Sequence, residues 1–170
     1  NNGINPMNGV QAPIHTGYLY EMENIEQVKA AIEKMSRYAL KWLVSMNNYT
    51  EYVAKQTLSH PLLSLSVEGC MESGKDIIQG GAKYNSFGGT ATGLATVADS
   101  LNAIQYMCFD KKLCTTRELY DAVMANWQGY ERLQEQIKQE VPHYGNGDAN
   151  ADQMMNWMLG LYYDICQECS

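Results

Sequence analysis

Apolar positions recur along most of this chain with the period of a helix. From Asn24 onward, Ile25, Val28, Ile32, Met35, Ala39, Trp42 and Met46 follow one another at three- and four-residue steps, with Glu26, Lys29, Glu33 and Lys34 between them. This spacing predicts one long amphipathic helix over 24–57, with one stripe for a core and one for water. Ser59-His60-Pro61 reads as the start of another helix. Ser59 is a capping residue, and Pro61 loses nothing in a first turn, where its missing N–H has no helical partner. A short apolar helix from Leu62 to Met71, ended by Gly74, is expected there. Helices are read throughout 93–168. Val97, Leu101, Ile104 and Met107 mark the first. Thr115-Thr116-Arg117-Glu118 has the form of a capping box and opens the second, through Leu119, Val123 and Trp127. Tyr130, Leu133 and Ile137 mark the third. After a turn at 142–148, Met154, Met158, Leu161 and Ile165 mark the last.

Two stretches break the pattern. Residues 1–20 are rich in Asn, Gly and Pro and read as an irregular loop. Residues 77–85, from Ile77-Ile78 through Gly80-Gly81 to Tyr84-Asn85, read as one strand between loops. The expected fold class is therefore α/β and helix-dominated. A single strand cannot satisfy its own ladder hydrogen bonds, so this one is expected to belong to a larger sheet.

Charge and composition narrow the possible partners. The net charge of −7 and the scatter of 12 basic residues argue against nucleic acid and anionic membrane, both of which need clustered cations. No apolar run approaches the roughly 20 residues that span a bilayer. The five cysteines, Cys70, Cys108, Cys114, Cys166 and Cys169, are odd in number, and Cys166-Gln167-Glu168-Cys169 has no second pair to complete a zinc site. Reduced thiols in a cytoplasmic protein are expected. The chain opens Asn1-Asn2-Gly3-Ile4-Asn5-Pro6, without Met, basic residues or an apolar core, and resembles the inside of a turn. It is expected to be an internal segment.

Three local patterns invite a chemical reading. Gly88-Gly89-Thr90-Ala91-Thr92-Gly93 precedes a helix, as a phosphate cradle does, but it lacks the P-loop lysine and the dinucleotide glycine spacing. His15, His60 and His143 each lie beside a turn signal, where capping or solvation is the default role. Gly69-Cys70-Met71-Glu72 places a thiol two residues from a carboxylate, as a nucleophile or thiyl site would, but on an apolar helix that favours simple burial.

Four pieces, taken in order, resemble the glycyl radical enzymes, the relatives of pyruvate formate-lyase. They are Ser59-His60-Pro61-Leu62-Leu63-Ser64 with Gly74-Lys75-Asp76-Ile77; Gly80-Gly81-Ala82-Lys83-Tyr84-Asn85; Gly93 with Val97-Ala98-Asp99-Ser100-Leu101-Asn102-Ala103-Ile104; and His143-Tyr144-Gly145-Asn146 with Asp152. Asn1–Pro6 is similar to the stretch that follows the catalytic cysteine loop in that family.

The resemblance implies a ten-stranded α/β barrel in which 77–85 is one stave, and a lyase of the dehydratase, decarboxylase or amine-lyase branch. Such an enzyme breaks a C–O, C–C, C–N or C–S bond of a small molecule by thiyl-radical hydrogen abstraction, under anaerobic conditions. It also implies a glycyl radical installed by a partner activase that uses S-adenosylmethionine and an iron–sulfur cluster, and a homodimer at full length. The catalytic cysteine and the radical glycine are expected outside this segment, so Cys70 is read as a decoy and the segment alone as inactive. No catalytic residue and no metal ligand is assigned within it. Substrate contact is expected from Tyr84, Asn85 and Thr92, where the stave ends and the loop from Ser86 turns toward the barrel. The rival reading is a non-catalytic helical interaction domain.

Overall fold

The computed structural model describes residues 3–5, 7–85 and 91–169. The chain forms two compact units, one of residues 1–39 with 91–170 and one of residues 40–90. The helix α1 (Ile25–Thr57) contributes its first part to one and the rest to the other.

The first unit is helical. With the start of α1 it contains α4 (Leu94–Ile104), α5 (Thr116–Met124), α6 (Glu131–Glu140) and α7 (Ala149–Glu168). One core gathers Val28 of α1, Ala98 and Leu101 of α4, and Met154 and Met158 of α7, with Ile25, Ile32 and Trp157 packed against it. A second gathers Met107, Cys108, Cys114, Leu119 and Val141. Helix starts follow local chemistry. The Thr115 hydroxyl accepts from the Glu118 N–H at 3.0 Å, and Asp148 accepts from the Asn150 and Ala151 N–H groups, satisfying donors that have no helical partner. The face of α5 that is buried carries Leu119 and Ala122, whereas Val123 is exposed and Trp127 lies past the helix at φ 65°. The α4 axis runs on into a π-helical turn over Gln105–Asp110.

The second unit holds the remainder of α1 and two short helices, α2 (Pro61–Ser66) and α3 (Cys70–Ser73). Here three expectations are corrected. First, no strand forms over 77–85: Ile77–Gln79 is a 3-10 turn capped by Asp76, and among the described residues the only β pairing is the isolated bridge Ile4–Gln11. The α/β expectation thus gives way to an all-helical chain within those residues. An acceptor at the N-cap position favoured the turn over the extended state. Second, the single apolar helix expected from Leu62 to Met71 is split in two, because Gly69 adopts φ 99° between the halves. Its polarity is also inverted: Ser64 is buried, while Leu62, Leu63 and Leu65 are exposed. Third, the apolar stripe of α1 is not buried throughout. Val28 is 5% exposed, but Trp42 is 62% and Met46 43% exposed, alongside Tyr49 and Tyr52.

Candidate functional site

The second unit is organised around one carboxylate. Asp76 Oδ2 accepts from the His60 N–H at 2.7 Å and from the Ser59 and Ser64 hydroxyls at 3.2 and 3.1 Å, and Oδ1 accepts from the Ile78 N–H at 2.9 Å. The Ser64 hydroxyl in turn accepts from the Ile77 N–H. These donors, the Ile78 N–H foremost, favour the ionised form and hold the Asp76 carboxyl below the usual carboxylate range. The carboxylate therefore fastens the start of α2 to the turn that begins at Ile77.

Two glycines then bring the next segment close. A Cβ on Gly81 would lie 2.1 Å from the Lys75 carbonyl oxygen, and one on Gly69 would lie 2.5 Å from the Lys83 nitrogen. Only a residue without a side chain permits such an approach. It is locked by the Gly81 N–H to the Asp76 carbonyl at 3.0 Å and by the Lys83 N–H to the Glu68 carbonyl at 2.8 Å. The Ser73 hydroxyl donates to the Gly81 carbonyl, and the Lys83 ammonium pairs with Glu68 at 2.6 Å. Residues 80–85 are thus a bent strap held down by backbone contacts, without a sheet.

At the end of that strap stand two of the three residues expected to touch substrate. Tyr84 is 85% exposed, with the Lys83 ammonium 5.6 Å from its ring centroid. Tyr84 and Asn85 both line a cavity of about 360 Å³, together with the apolar side chains of Leu63, Val67 and Ile78 and with Glu51. An apolar wall bearing one hydroxyl, one amide and one carboxylate has the composition of a small-molecule site. Glu51, which the sequence reading did not single out, is paired with Lys55 at 2.8 Å across one turn of α1. Only its position on α1 brings it to the cavity, and periodicity alone carries no signal of that. Thr92 belongs to the first unit, exposed just before Gly93, the N-cap of α4. The intervening loop, Ser86–Thr90, lies outside the described residues.

The other candidates have structural employment. Cys70 is 3% exposed, and Glu72, the carboxylate proposed as its partner, accepts the Gly69 N–H at 3.0 Å instead. The His60 N–H bonds to Asp76, as above, and His143 Nδ1 lies 3.6 Å from Asp99 Oδ2. Asp99 also accepts the Tyr144 N–H at 2.8 Å, and Asp152 accepts the Gly145 N–H at 3.3 Å. The third and fourth of the ordered motifs therefore meet, two acidic side chains holding one Gly-containing turn. Among the described residues, no group of three or more His, Cys, Asp or Glu is arranged to hold a metal ion. No described helix is long and apolar enough to cross a membrane.

Known proteins share this chain's fold and sequence pattern. Residues 1–170 match the family described as Pyruvate formate lyase-like. The trans-4-hydroxy-L-proline dehydratase of Clostridioides difficile is 35% identical over 164 residues, which cover 96% of this chain and 21% of that protein. Its crystal structure with substrate bound superposes with a TM-score of 0.86 over 97% of this chain and 21% of that one, at 34% identity. The (2S)-3-sulfopropanediol dehydratase of Klebsiella oxytoca is 35% identical over 95% of this chain and 20% of its own length. A glycyl radical enzyme from Archaeoglobus fulgidus matches with a TM-score of 0.78 at 30% identity, over 97% of this chain and 21% of that one. The chain spans about a fifth of the length of each of these relatives, and it belongs to the pyruvate formate lyase-like family of glycyl radical enzymes.

Proposed function

We propose that this chain is one stretch of a longer glycyl radical lyase that eliminates water from a small polyol or hydroxylated amino acid. The observation that carries this reading is the 35% identity, over nearly the whole chain, to two dehydratases whose substrates are both small and hydroxylated. Cleavage of a C–S, C–C or C–N bond remains within the same chemistry and is separated from it by the product formed. A second observation supports membership in a larger body. Trp42, Met46, Tyr49 and Tyr52 on α1, and Leu62 and Leu65 on α2, are all exposed. So many large apolar side chains in water carry a cost, and further chain laid over them, as in a ten-stranded barrel, relieves it.

On this reading the glycyl radical, installed by an activase that uses S-adenosylmethionine and an iron–sulfur cluster, supplies the hydrogen-abstracting power through a cysteine that lies outside this stretch. The part of the chain described above is to hold substrate. The Tyr84 hydroxyl and the Asn85 amide offer a donor and an acceptor to a substrate hydroxyl or carboxylate. Cys70, buried and without a free base beside it, takes no part.

The test begins with the protein from its native source, purified without oxygen. A mass several times 19.1 kDa, a glycyl radical signal after treatment with its activase, and water loss from one of a panel of vicinal diols and hydroxyprolines are expected. Tyr84→Phe and Asn85→Ala should raise KM several-fold with the radical yield unchanged. A native mass of 19.1 kDa with no radical would overturn the proposal and favour the binding-domain reading. Radical formation with unchanged KM in both variants would keep the lyase and remove the site.

A further inference from the structure

The second core of the first unit contains two thiols that no step above uses. Cys108 sits in the π-helical turn after α4, and Cys114 directly precedes Thr115, the N-cap residue of α5. Their sulfurs are 3.7 Å apart, and the residues are only 9% and 7% exposed. The short connection between them folds back on itself: the Leu113 and Cys114 N–H groups both point to the Met107 carbonyl, at 2.8 and 3.4 Å, and Lys112 takes φ 53° to make the reversal. The two thiols are thus held together by backbone geometry rather than by chance approach of long side chains. Cys70, Cys166 and Cys169 have no comparable thiol contact among the described hydrogen bonds, although Cys166 has partners of another kind.

We propose that Cys108 and Cys114 form a redox-active dithiol that closes to an intramolecular disulfide when a hydroperoxide reaches it. A disulfide needs the sulfurs at about 2.05 Å, so closure requires each to move by somewhat under 1 Å. Rotation about the two χ1 angles and a small shift of the 109–113 connection supply that movement without unwinding α4 or α5. The chemistry takes two steps. The Cys114 thiolate attacks one peroxide oxygen, the O–O bond breaks, and the departing oxygen leaves as an alcohol or water after taking up a proton, so that Cys114 becomes a sulfenic acid. The Cys108 sulfur then attacks the Cys114 sulfur, expels the sulfenic oxygen as water, and forms the S–S bond. Two thiols and one hydroperoxide give one disulfide, one alcohol (or water) and one water; the peroxide is reduced by two electrons and the thiol pair is oxidised by two.

The direction of attack follows from position. Either thiol can donate the shared S–H···S contact, but Cys114 directly precedes the N-cap residue of α5, where the positive end of the helix favours a thiolate. Burial also slows capture by bulky reagents. The consequence is a covalent tie between the end of the α4 axis and the start of α5, made only under oxidising conditions.

Lys111 and Lys112 lie between the two cysteines, which makes the test direct. Protein reduced and then exposed to a small excess of hydrogen peroxide is unfolded in N-ethylmaleimide and digested with trypsin. The expected result is two peptides joined through Cys108 and Cys114, separable by dithiothreitol, with Cys70 fully alkylated. A Cys108→Ala variant should accumulate a Cys114 sulfenic acid that dimedone traps, at least tenfold more than in the parent protein. Recovery of both Cys108 and Cys114 as alkylated thiols, at peroxide levels that oxidise the exposed methionines, would overturn the proposal even if the variant fails to fold. So would cross-links from either residue to Cys166 or Cys169 in preference to each other.

Discussion

Replacing Gly81 by alanine tests the account of the 80–85 strap. The added Cβ would sit 2.1 Å from the Lys75 carbonyl oxygen, about 1.3 Å short of the 3.4 Å at which ordinary contact begins, and 3.1 Å from the Asp76 carbonyl oxygen. Both neighbours are backbone and neither can rotate away, so the strap itself must lift. Three hydrogen bonds lie in the path of that movement: Gly81 N–H to Asp76, Lys83 N–H to Glu68, and Ser73 hydroxyl to Gly81. At a net worth of about 1 kcal/mol each, their loss gives a destabilisation of about 3 kcal/mol. Two other glycines calibrate the result. Gly74 has φ 61° with open space around its Cβ position, so Gly74→Ala bears only the left-handed strain, about 1 kcal/mol. Gly160 is an exposed residue within α7, also in open space, and Gly160→Ala should stabilise by about 0.5–1 kcal/mol. Urea denaturation gives the three values, and hydrogen exchange at the Lys83 amide locates the first. A Gly81→Ala protein within about 0.5 kcal/mol of the parent, with the Lys83 amide still protected, would show that the close approach is not what holds the strap.

Other perturbations follow from the same contacts. Leu101 is 1% exposed at the centre of the first core, and Leu101→Ala should cost about 2–5 kcal/mol in urea denaturation, cavity term included. Thr115→Ala removes the acceptor for the Glu118 N–H and should cost about 1 kcal/mol, read as faster exchange in the first turn of α5. Asp76 carries a pH signature. Its folded carboxyl titrates below its unfolded one, so the stability it contributes is present above the usual carboxylate range and is lost as pH falls toward the lower folded value. Asp76→Asn should be less stable than the parent at neutral pH and should show a flatter loss of stability on acidification; parallel acid limbs for the two proteins would refute this.

The legibility of this chain in its sequence divides along a physical line. Where periodicity and caps are local, the Thr115 cap gives the start of α5 and the Met154, Met158, Leu161 and Ile165 face of α7 can be read residue by residue, although α5 buries Leu119 and Ala122 and leaves Val123 exposed. What covers a helix cannot. The stripe of α1 is continuous in the sequence, yet Val28 is buried and Trp42 is not, because periodicity states which face should leave water and not whether a partner is present. The misread strand has a similar origin. Ile77-Ile78 followed by two glycines is short enough to suit a strand or a turn, and the decision was made by Asp76, whose side chain caps the turn and collects donors from 59–64. That convergence is long-range and leaves no periodic trace.

The same distinction explains why the family is easy to recognise here and the substrate is not. The ordered motifs that carry the resemblance are joined in pairs by the structure. Ser59, His60 and Ser64 meet Asp76; Gly81 lies against Lys75; Asp99 and Asp152 hold the turn at 143–146. Each pair is a constraint on backbone position, and each serves any substrate equally well. Tyr84 and Asn85 stand at the end of one such constraint, where the backbone is fixed but the side chains face open space. A fixed backbone with unconstrained side chains lets a family change substrate without changing its fold. On the proposed function, changes confined to Glu51, Tyr84 and Asn85 should therefore alter which molecule is held while leaving the Asp76 and Gly81 contacts, and the stability that depends on them, in place.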